Sequence, residues 1–356
     1  MSRRQIIYIA PNMSSFVRKD IAFLSETYQV LAPVFNWTGK LIVPFSLFRQ
    51  SFFLLWNVPR SKAVFVMFGG YWSLLPSLAG RFFRKPVFII AGGTDCVSFP
   101  SLGYGSLRKS MLRRVIKWSY ILCSRILPVD ESLVFCEYSY LQKRDYDFQG
   151  YRFFFPKLKT EHTVIHNGFD VSQFEYNPAQ KESGTFLTIA AADDMRRLTI
   201  KGIDTILLIA PRFPECTFRV AGISANMQES LTGVPSNVML MPFLQHSEFR
   251  EILAESEFCL HLSVSEGFPN ALCEAMLGGC IPVVSSVGAM PMIVGDTGFV
   301  AESSDLEYLC DKLTAILRTP SDLRLKIASA ARSRVAEHFP IEKRKQAFLS
   351  LLEKVN

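Results

Sequence analysis

Apolar runs a few residues long recur along the chain and alternate with longer segments of mixed polarity. In the first half, Ile6–Ala10, Gln29–Val34, Ala63–Phe68, Pro86–Ala91 and Arg125–Val129 read as buried strands. Several of them end in Gly, Asn or Pro, the residues of strand-to-helix turns. The second half repeats the scheme at Thr185–Ala190, Thr217–Ala221, Val238–Met241, Phe258–Leu262 and Ile281–Ser285. Short strands alternating with helical segments predict parallel sheets joined by right-handed crossovers. Ligands of such sheets bind beyond the carboxyl ends of the strands.

The 356 residues, 49% of them apolar, suffice for two cores of ordinary domain size. No apolar run approaches the ~18 residues of a membrane span. The opening Met1–Pro11 has a basic flank, but Pro11 ends its apolar run. It reads as a first buried strand rather than a signal peptide. The eight cysteines show no C-x-x-C spacing and lie mostly among apolar residues. Buried, reduced thiols of a cytosolic protein fit them better than disulfides or zinc ligands.

Charge changes this picture. Residues 1–150 hold 19 Lys+Arg against 8 Asp+Glu, net +11; the rest hold 20 against 24, net −4, and together they give the chain's +7. Between 27 and 129 the single acid is Asp95, among 13 basic residues. Such polarity points to an anionic surface facing the first half. No helix-turn-helix, zinc-finger or aromatic RNA-binding pattern accompanies it, so a negatively charged membrane leaflet is expected rather than nucleic acid. As a helix, Leu107–Leu122 would carry Met111, Val115, Trp118 and Leu122 on one stripe and Lys109, Arg113 and Lys117 on another. That suits a basic helix lying in a headgroup layer, or equally one docked on the core with a solvated face. The aromatic stretch 45–60 reads either as a further membrane contact or as a core helix.

Candidate chemistry concentrates in Ser265–Met276, S-E-G-F-P-N-A-L-C-E-A-M. Glu266 falls in a loop after an apolar strand, and Glu274 about one turn inside the helix that follows. Pro269 suits a first helical turn. Backbone N–H groups at that start, from Gly267, Phe268, Asn270, Ala271 and Leu272, favour an anion such as phosphate. A loop carboxylate, an amide cradle and a helix carboxylate can together hold a sugar, its phosphates and a ribose. Spacing alone is better met by a surface loop and an ordinary helix with two solvated acids.

Three further segments accompany it: V-I-H-N-G-F-D-V-S-Q-F (164–174), R-R-L-T-I-K-G-I-D-T-I-L-L-I-A (196–210) and C-I-P-V-V-S-S-V-G (280–288). Together they resemble the retaining GT-B glycosyltransferases (glycosyltransferase family 4-like, glycosyl transferases group 1), whose marker is a Glu-x7-Glu segment. The resemblance covers about residues 160–300. It implies an acceptor-side Rossmann-like domain over 1–163, a nucleotide-sugar-binding one over 164–338 and a C-terminal helix, 339–356, crossing back to the first. It also implies that Glu266 contacts the donor-sugar hydroxyls, that Glu274 accepts hydrogen bonds from the ribose, and that Lys201 binds the diphosphate. Arg196 matches the family's arginine, Arg197 is its neighbour one residue out of register, and Gly202 follows the lysine. Attack would occur on the face from which the diphosphate leaves, the diphosphate helping to deprotonate the acceptor. No metal, cofactor or protein base is then implied.

The first half departs from the family pattern. Residues 10–19 lack the glycines of a glycine-rich loop, although amides of Ser14, Ser15 and Phe16 could meet a phosphate. In A-G-G-T-D-C (91–96), Gly92 or Gly93 stands where relatives carry a histidine, leaving Asp95 as acceptor-side candidate or as an N-cap. Met292 stands where relatives often carry a glutamate, and His166 and His261 read as core or strand-edge histidines. The expected protein is a cytoplasmic, membrane-peripheral transferase using a UDP- or GDP-sugar to extend a surface polysaccharide or lipid-linked glycan. Its rivals are a soluble disaccharide-forming transferase, a GT-B-fold sugar-nucleotide epimerase and a non-catalytic scaffold. Intact Glu266, Glu274 and Lys201 weigh against the scaffold.

Overall fold

The strand β1 (Gln5–Ile9) is buried from Ile6 onward, as a strand covered on both faces must be. It lies in a five-stranded parallel sheet with β2 (Gln29–Leu31), β3 (Val64–Met67), β4 (Val87–Ala91) and β5 (Arg125–Pro128), in the order β2-β1-β3-β4-β5. A short antiparallel ribbon follows, β6 (Cys136–Glu137) with β7 (Phe148–Gln149). The second sheet holds β8 (Glu182–Ala192), β9 (Thr217–Ile223), β10 (Val238–Met241), β11 (Ser256–His261), β12 (Ile281–Ser285) and β13 (Phe299–Ala301). Its order is β10-β9-β8-β11-β12-β13, again all parallel. This computed structural model describes residues 4–39 and 41–355. All ten strands read from the pattern are present; the ribbon and β13 are additional.

Helices connect the strands. In the first half these are α1 (Ser15–Ser25), α2 (Ile42–Asn57), α3 (Tyr71–Phe83), α4 (Ser110–Leu122) and α5 (Tyr151–Phe154). The second half adds α6 (Met195–Ile200), α7 (Ile203–Ile209), α8 (Ala225–Ser230), α9 (His246–Glu255), α10 (Asn270–Leu277) and α11 (Met290–Val294). It ends with α12 (Leu306–Leu317), α13 (Ser321–His338) and α14 (Ile341–Glu353). The strand order reverses direction at β1, so right-handed crossovers put α1 on one face of the first sheet and α2, α3 and α4 together on the other. No helix among the described residues is long and apolar enough to cross a membrane.

Two segments, among other contacts, tie the halves together. Residues 161–165 stay beside β5: Thr163 N donates to Ile126 O and Ile165 N to Pro128 O, each at 3.0 Å. The last helix, α14, lies against α1, where Arg344 pairs with Asp20 at 2.7 Å and Phe348 stacks on Phe65 of β3 at 5.0 Å. Both ions of that pair are buried. All eight cysteines are free thiols, seven of them buried.

α4 begins three residues later than the amphipathic segment read from sequence, after a 3-10 turn over Ser106–Arg108. Its inward residues are Ile116, Ser119 and Tyr120, while Met111 and Trp118 of the expected apolar stripe face outward. The 45–60 stretch is not a core helix either. α2 turns Ser46, Gln50 and Leu54 inward and most of its aromatic rings outward.

Candidate active site

β11 ends at His261, and the loop beyond it carries Glu266 to the carboxyl edge of the second sheet. A neighbouring loop carries Lys201 between α6 and α7, where Gly202 turns the chain with φ 69°. Val264 N donates to Ile200 O at 2.8 Å, which zips the two loops side by side. The Lys201 ammonium consequently lies 2.5 Å from Glu266 Oε1, and His261 Nε2 approaches the same oxygen at 3.0 Å. Burial alone would push the Glu266 carboxyl up. Lys201 and His261 outweigh it and hold the group well below the usual carboxylate range. The result is a buried anion with a cation fixed beside it.

The helix α10 starts at Asn270, with Pro269 as its N-cap, one position earlier than the first-turn place read from sequence. Pro269 offers no capping side chain, so the first N–H groups of the helix are open to an external acceptor. Asn270 Oδ1 accepts from Asn167 Nδ2 at 2.9 Å, which fixes the start of the helix against residues 164–174. Leu272 is fully buried and Ala271 half-buried. Phe268 is a core side chain packed against His166, Phe169 and Phe339, so only its backbone can serve a ligand.

Glu274 lies one turn inside α10, its side chain 22% exposed, with the Lys19 ammonium of α1 at 4.0 Å. Burial raises its carboxyl pKa and Lys19 opposes the rise. Both residues line a cavity of about 410 Å³ that runs past Ser15 to the carboxyl ends of β8 and β9, with Phe243 and Phe249 on its walls. This is an apolar slot with a carboxylate at its edge. Sequence reasoning missed Lys19 and read His261 as a core or strand-edge histidine. The signal for His261 is its place at a strand end five residues before Glu266.

The arginines stand at the rim. Arg196 pairs with Asp194 at 2.9 Å and brings Nη1 to 3.5 Å from Gly103 O of the first half. Arg197 pairs with Asp193 at 2.9 Å. Each is about half exposed.

On the first-half wall, residues 92–93 touch the Glu266 loop. A Cβ at Gly267 would sit 2.2 Å from Gly92 O, so glycine is required for the walls to meet. A Cβ at Gly92 would strike the Phe68 ring at 2.0 Å, leaving no room there for a histidine. Asp95 lies inside this wall rather than on it. Its Oδ2 accepts from Gly69 N and from the Tyr120 hydroxyl, both at 2.8 Å, and its Oδ1 from Gly92 N at 3.2 Å and Gly93 N at 3.1 Å. Fully buried and filled on both oxygens, it shapes the 92–93 loop from within, where the sequence left an acceptor-side role and an N-cap equally open. Met292 sits on α11, partly exposed, with its carbonyl held by Arg334 at 2.8 Å.

Comparison with known proteins bears on the fold and on the segment that holds the two glutamates. Residues 188–319 match the model of the family described as Glycosyl transferases group 1. The gpi3 subunit of phosphatidylinositol N-acetylglucosaminyltransferase of Schizosaccharomyces pombe is 26% identical over 175 residues, which are 46% of this chain and 37% of that protein. The alignment therefore spans little more than a third of that relative. Two solved structures superpose over nearly the whole chain. Sucrose-phosphate synthase from Thermosynechococcus elongatus has a TM-score of 0.75 at 13% identity, covering 99% of each chain. Anabaena HepE in complex with UDP and glucose has a TM-score of 0.74 at 14% identity, covering 99% of this chain and 100% of its own. At such identities the likeness is one of fold. The chain has the GT-B fold of two facing parallel-sheet halves, and residues 188–319, which carry Lys201, Glu266 and Glu274, are similar to the glycosyl transferases of group 1.

Proposed function

We propose that the protein is a retaining glycosyltransferase that moves a sugar from a UDP- or GDP-linked donor to a glycan or lipid-linked acceptor in surface polysaccharide biosynthesis. One observation carries this reading: Lys201, Glu266 and His261 converge within 3.0 Å, beside the open N-terminus of α10 and facing the first-half wall. A donor diphosphate gathers negative charge as its sugar departs, and a fixed cation beside free amides stabilises that charge. Lys201 would then turn from Glu266 toward the phosphates, with Arg196 or Arg197 closing from the rim. Glu266, held ionised, is suited to accept hydrogen bonds from sugar hydroxyls. Glu274 does the same for the ribose, and the apolar slot beside it takes the base.

Attack from the face of departure lets the leaving diphosphate take the acceptor proton, so no side-chain base is assigned. Asp95 holds the 92–93 loop where the acceptor hydroxyl would pass. UDP is the first donor base to try, because the similarly folded HepE is described with UDP and glucose. The basic excess of the first half supports a position against the cytoplasmic, anionic face of a membrane.

The test is titration calorimetry of UDP and GDP against wild type and Lys201→Ala. A charge-assisted contact in a partly dry cleft is worth roughly 1.5–3 kcal/mol, so diphosphate affinity should fall at least about tenfold. Unchanged affinity in a folded variant would remove the donor site from this cleft.

A further inference from the structure

α2 is built inside out. Facing inward, Ser46 Oγ donates to Asn36 O at 2.5 Å and Gln50 Nε2 to Trp72 O of α3 at 3.0 Å. Facing outward at helical spacing are Phe45, Phe48, Phe52, Leu55 and Trp56, each 58–68% exposed. A ridge of this size on a described surface needs an occupant. It does not stand alone. Leu78 and Phe82 of α3 and Met111, Trp118 and Ile121 of α4 are exposed as well. A groove of about 260 Å³ between Phe48, Leu75 and Val115 joins the three helices into one apolar face.

The same face is uniformly cationic. Asp95 is the one acid between 27 and 129 and is buried, so no carboxylate reaches this surface from that stretch. Arg49 lies over the Phe45 ring at 5.9 Å and Arg60 over Trp56 at 4.4 Å, which keeps charge beside the ridge. On the far edge of α4, Arg108, Arg113, Arg114 and Lys117 surround a cavity of about 390 Å³ backed by Phe154 and Phe155. Among the described residues of 27–150, the only basic side chains in carboxylate pairs are Arg125 and Arg144. Arg108 Nε is buried without any partner.

We propose that the outer face of α2, α3 and α4 docks on an anionic lipid bilayer, the α2 ridge lying between headgroups and acyl chains and the α4 cavity receiving a lipid phosphate. Charge selects this occupant. A second copy of the chain would bring the same cations face to face, whereas anionic headgroups neutralise them. Aromatic rings flanked by arginines suit the boundary layer, where the rings enter and the guanidinium groups stay with phosphate. The 16 residues of α2 form a rod of roughly 24 Å that can lie flat in that layer. The groove also bears on the cleft. Its residue Tyr71 opens α3, two positions after Gly69, whose amide holds Asp95. An acceptor with an apolar tail can thus keep the tail at α2 while its head reaches the 92–93 loop.

This deepens the membrane-peripheral reading above and rests on it only for the setting, since vesicle binding and nucleotide binding are measured separately. The full chain is sedimented with phosphatidylglycerol-containing and with pure phosphatidylcholine vesicles, at low and high salt. Two variants accompany it: Phe48→Ser/Phe52→Ser/Trp56→Ser on the ridge, and Arg113→Gln/Arg114→Gln/Lys117→Gln at the cavity. Wild type should bind the anionic vesicles and partly resist salt. The ridge variant should bind on the order of 100-fold more weakly and be stripped by salt, because three buried rings are lost. The cavity variant should lose its preference for phosphatidylglycerol. In a Trp118→Phe background, brominated lipid should quench emission, with Trp56 as the strongly exposed indole. UDP or GDP affinity should be unchanged in the surface variants; if neither nucleotide binds wild type, the donor-site reading fails and the docking surface stands. Wild type that ignores anionic vesicles at low salt would overturn the proposal. So would a ridge variant that binds and resists salt like wild type, or a wild-type dimer that the ridge variant dissolves.

Discussion

The interior of this molecule and the outer face of its first half treat charge in opposite ways. Inside, Asp20 meets Arg344 at 2.7 Å, and Lys181 Nζ donates to the carbonyls of Leu253, Ser256 and Gly278 at 2.6–2.9 Å. Asp95 is satisfied by three amides and a phenol, and Glu266 by Lys201 and His261. Outside, the cations of α4 have no carboxylate partner, and bare aromatic rings stand next to them. A buried ion costs several kcal/mol unless matched, whereas an exposed one rests in water at little cost. Matched charges therefore hold the two sheets in place, and unmatched ones are available to something outside the protein.

The sharpest way to break this contrast is to unmatch an interior ion. Asp20→Ala leaves the Arg344 guanidinium buried, with only the carbonyls of Ile165 and His166, at 3.1 Å, as partners. The Tyr8 hydroxyl also loses its acceptor at 2.8 Å. Loss of one partner of a buried pair costs roughly 3–5 kcal/mol, to be read from chemical denaturation. The control is Lys109→Gln/Arg113→Gln/Lys117→Gln, which should shift stability by no more than about 0.5 kcal/mol per site. Similar losses in the two proteins would erase the distinction.

The same contrast explains what the sequence conveys. Strands and the Glu266–Glu274 segment are legible because they depend on local pattern: apolar runs for β1, β3 and β4, and a fixed spacing around one helix start. Contacts between distant segments are not. Nothing near Asp95 in the chain says that Gly69 and Tyr120 will fill its second oxygen, so it reads equally as an acceptor-side acid or an N-cap. Phe268 sits inside the motif yet packs into the core with Phe339, seventy-one positions away by sequence number (339 minus 268). For α2 the composition is clear but the direction is not. Its mixed apolar faces fit a core helix equally well until Ser46 and Gln50 find inward partners.

A smaller effect tests the seam between the walls. Gly267→Ala would place a methyl 2.2 Å from Gly92 O, well inside contact distance, so the walls must part. Displacement of about 1 Å at a reacting centre can cost on the order of 100-fold in rate. Turnover should fall by that order while nucleotide affinity, assigned in the proposed donor site to Lys201 and Glu274, changes little. Loss of nucleotide affinity in step with turnover would show instead that the substitution disturbs the donor half itself.

The mildest probe is pH, and it separates the two glutamates of the motif. Glu274 has a carboxyl pKa raised by burial and restrained by Lys19, whereas that of Glu266 is depressed by Lys201 and His261. Because the Glu274 pKa is raised on folding, its stability contribution is present in full below the unfolded pKa and fades as pH rises through the folded one. Glu266 behaves in reverse: its contribution is present above the unfolded pKa and is lost only in strong acid. Nucleotide binding follows Glu274 in the opposite sense to stability, since ribose hydroxyls need an ionised acceptor. Affinity for UDP should therefore weaken a few-fold as pH falls through the raised Glu274 pKa, with Glu266 still ionised. The terminal phosphate of UDP titrates near pH 6 as well, so Glu274→Gln is the necessary comparison. It keeps the phosphate contribution and removes that of the carboxyl, and its acid limb should be shallower. Lys19→Gln should move the wild-type limb to higher pH, because the opposing cation is gone. An acid limb identical in wild type and Glu274→Gln would mean that this carboxylate does not face the nucleotide.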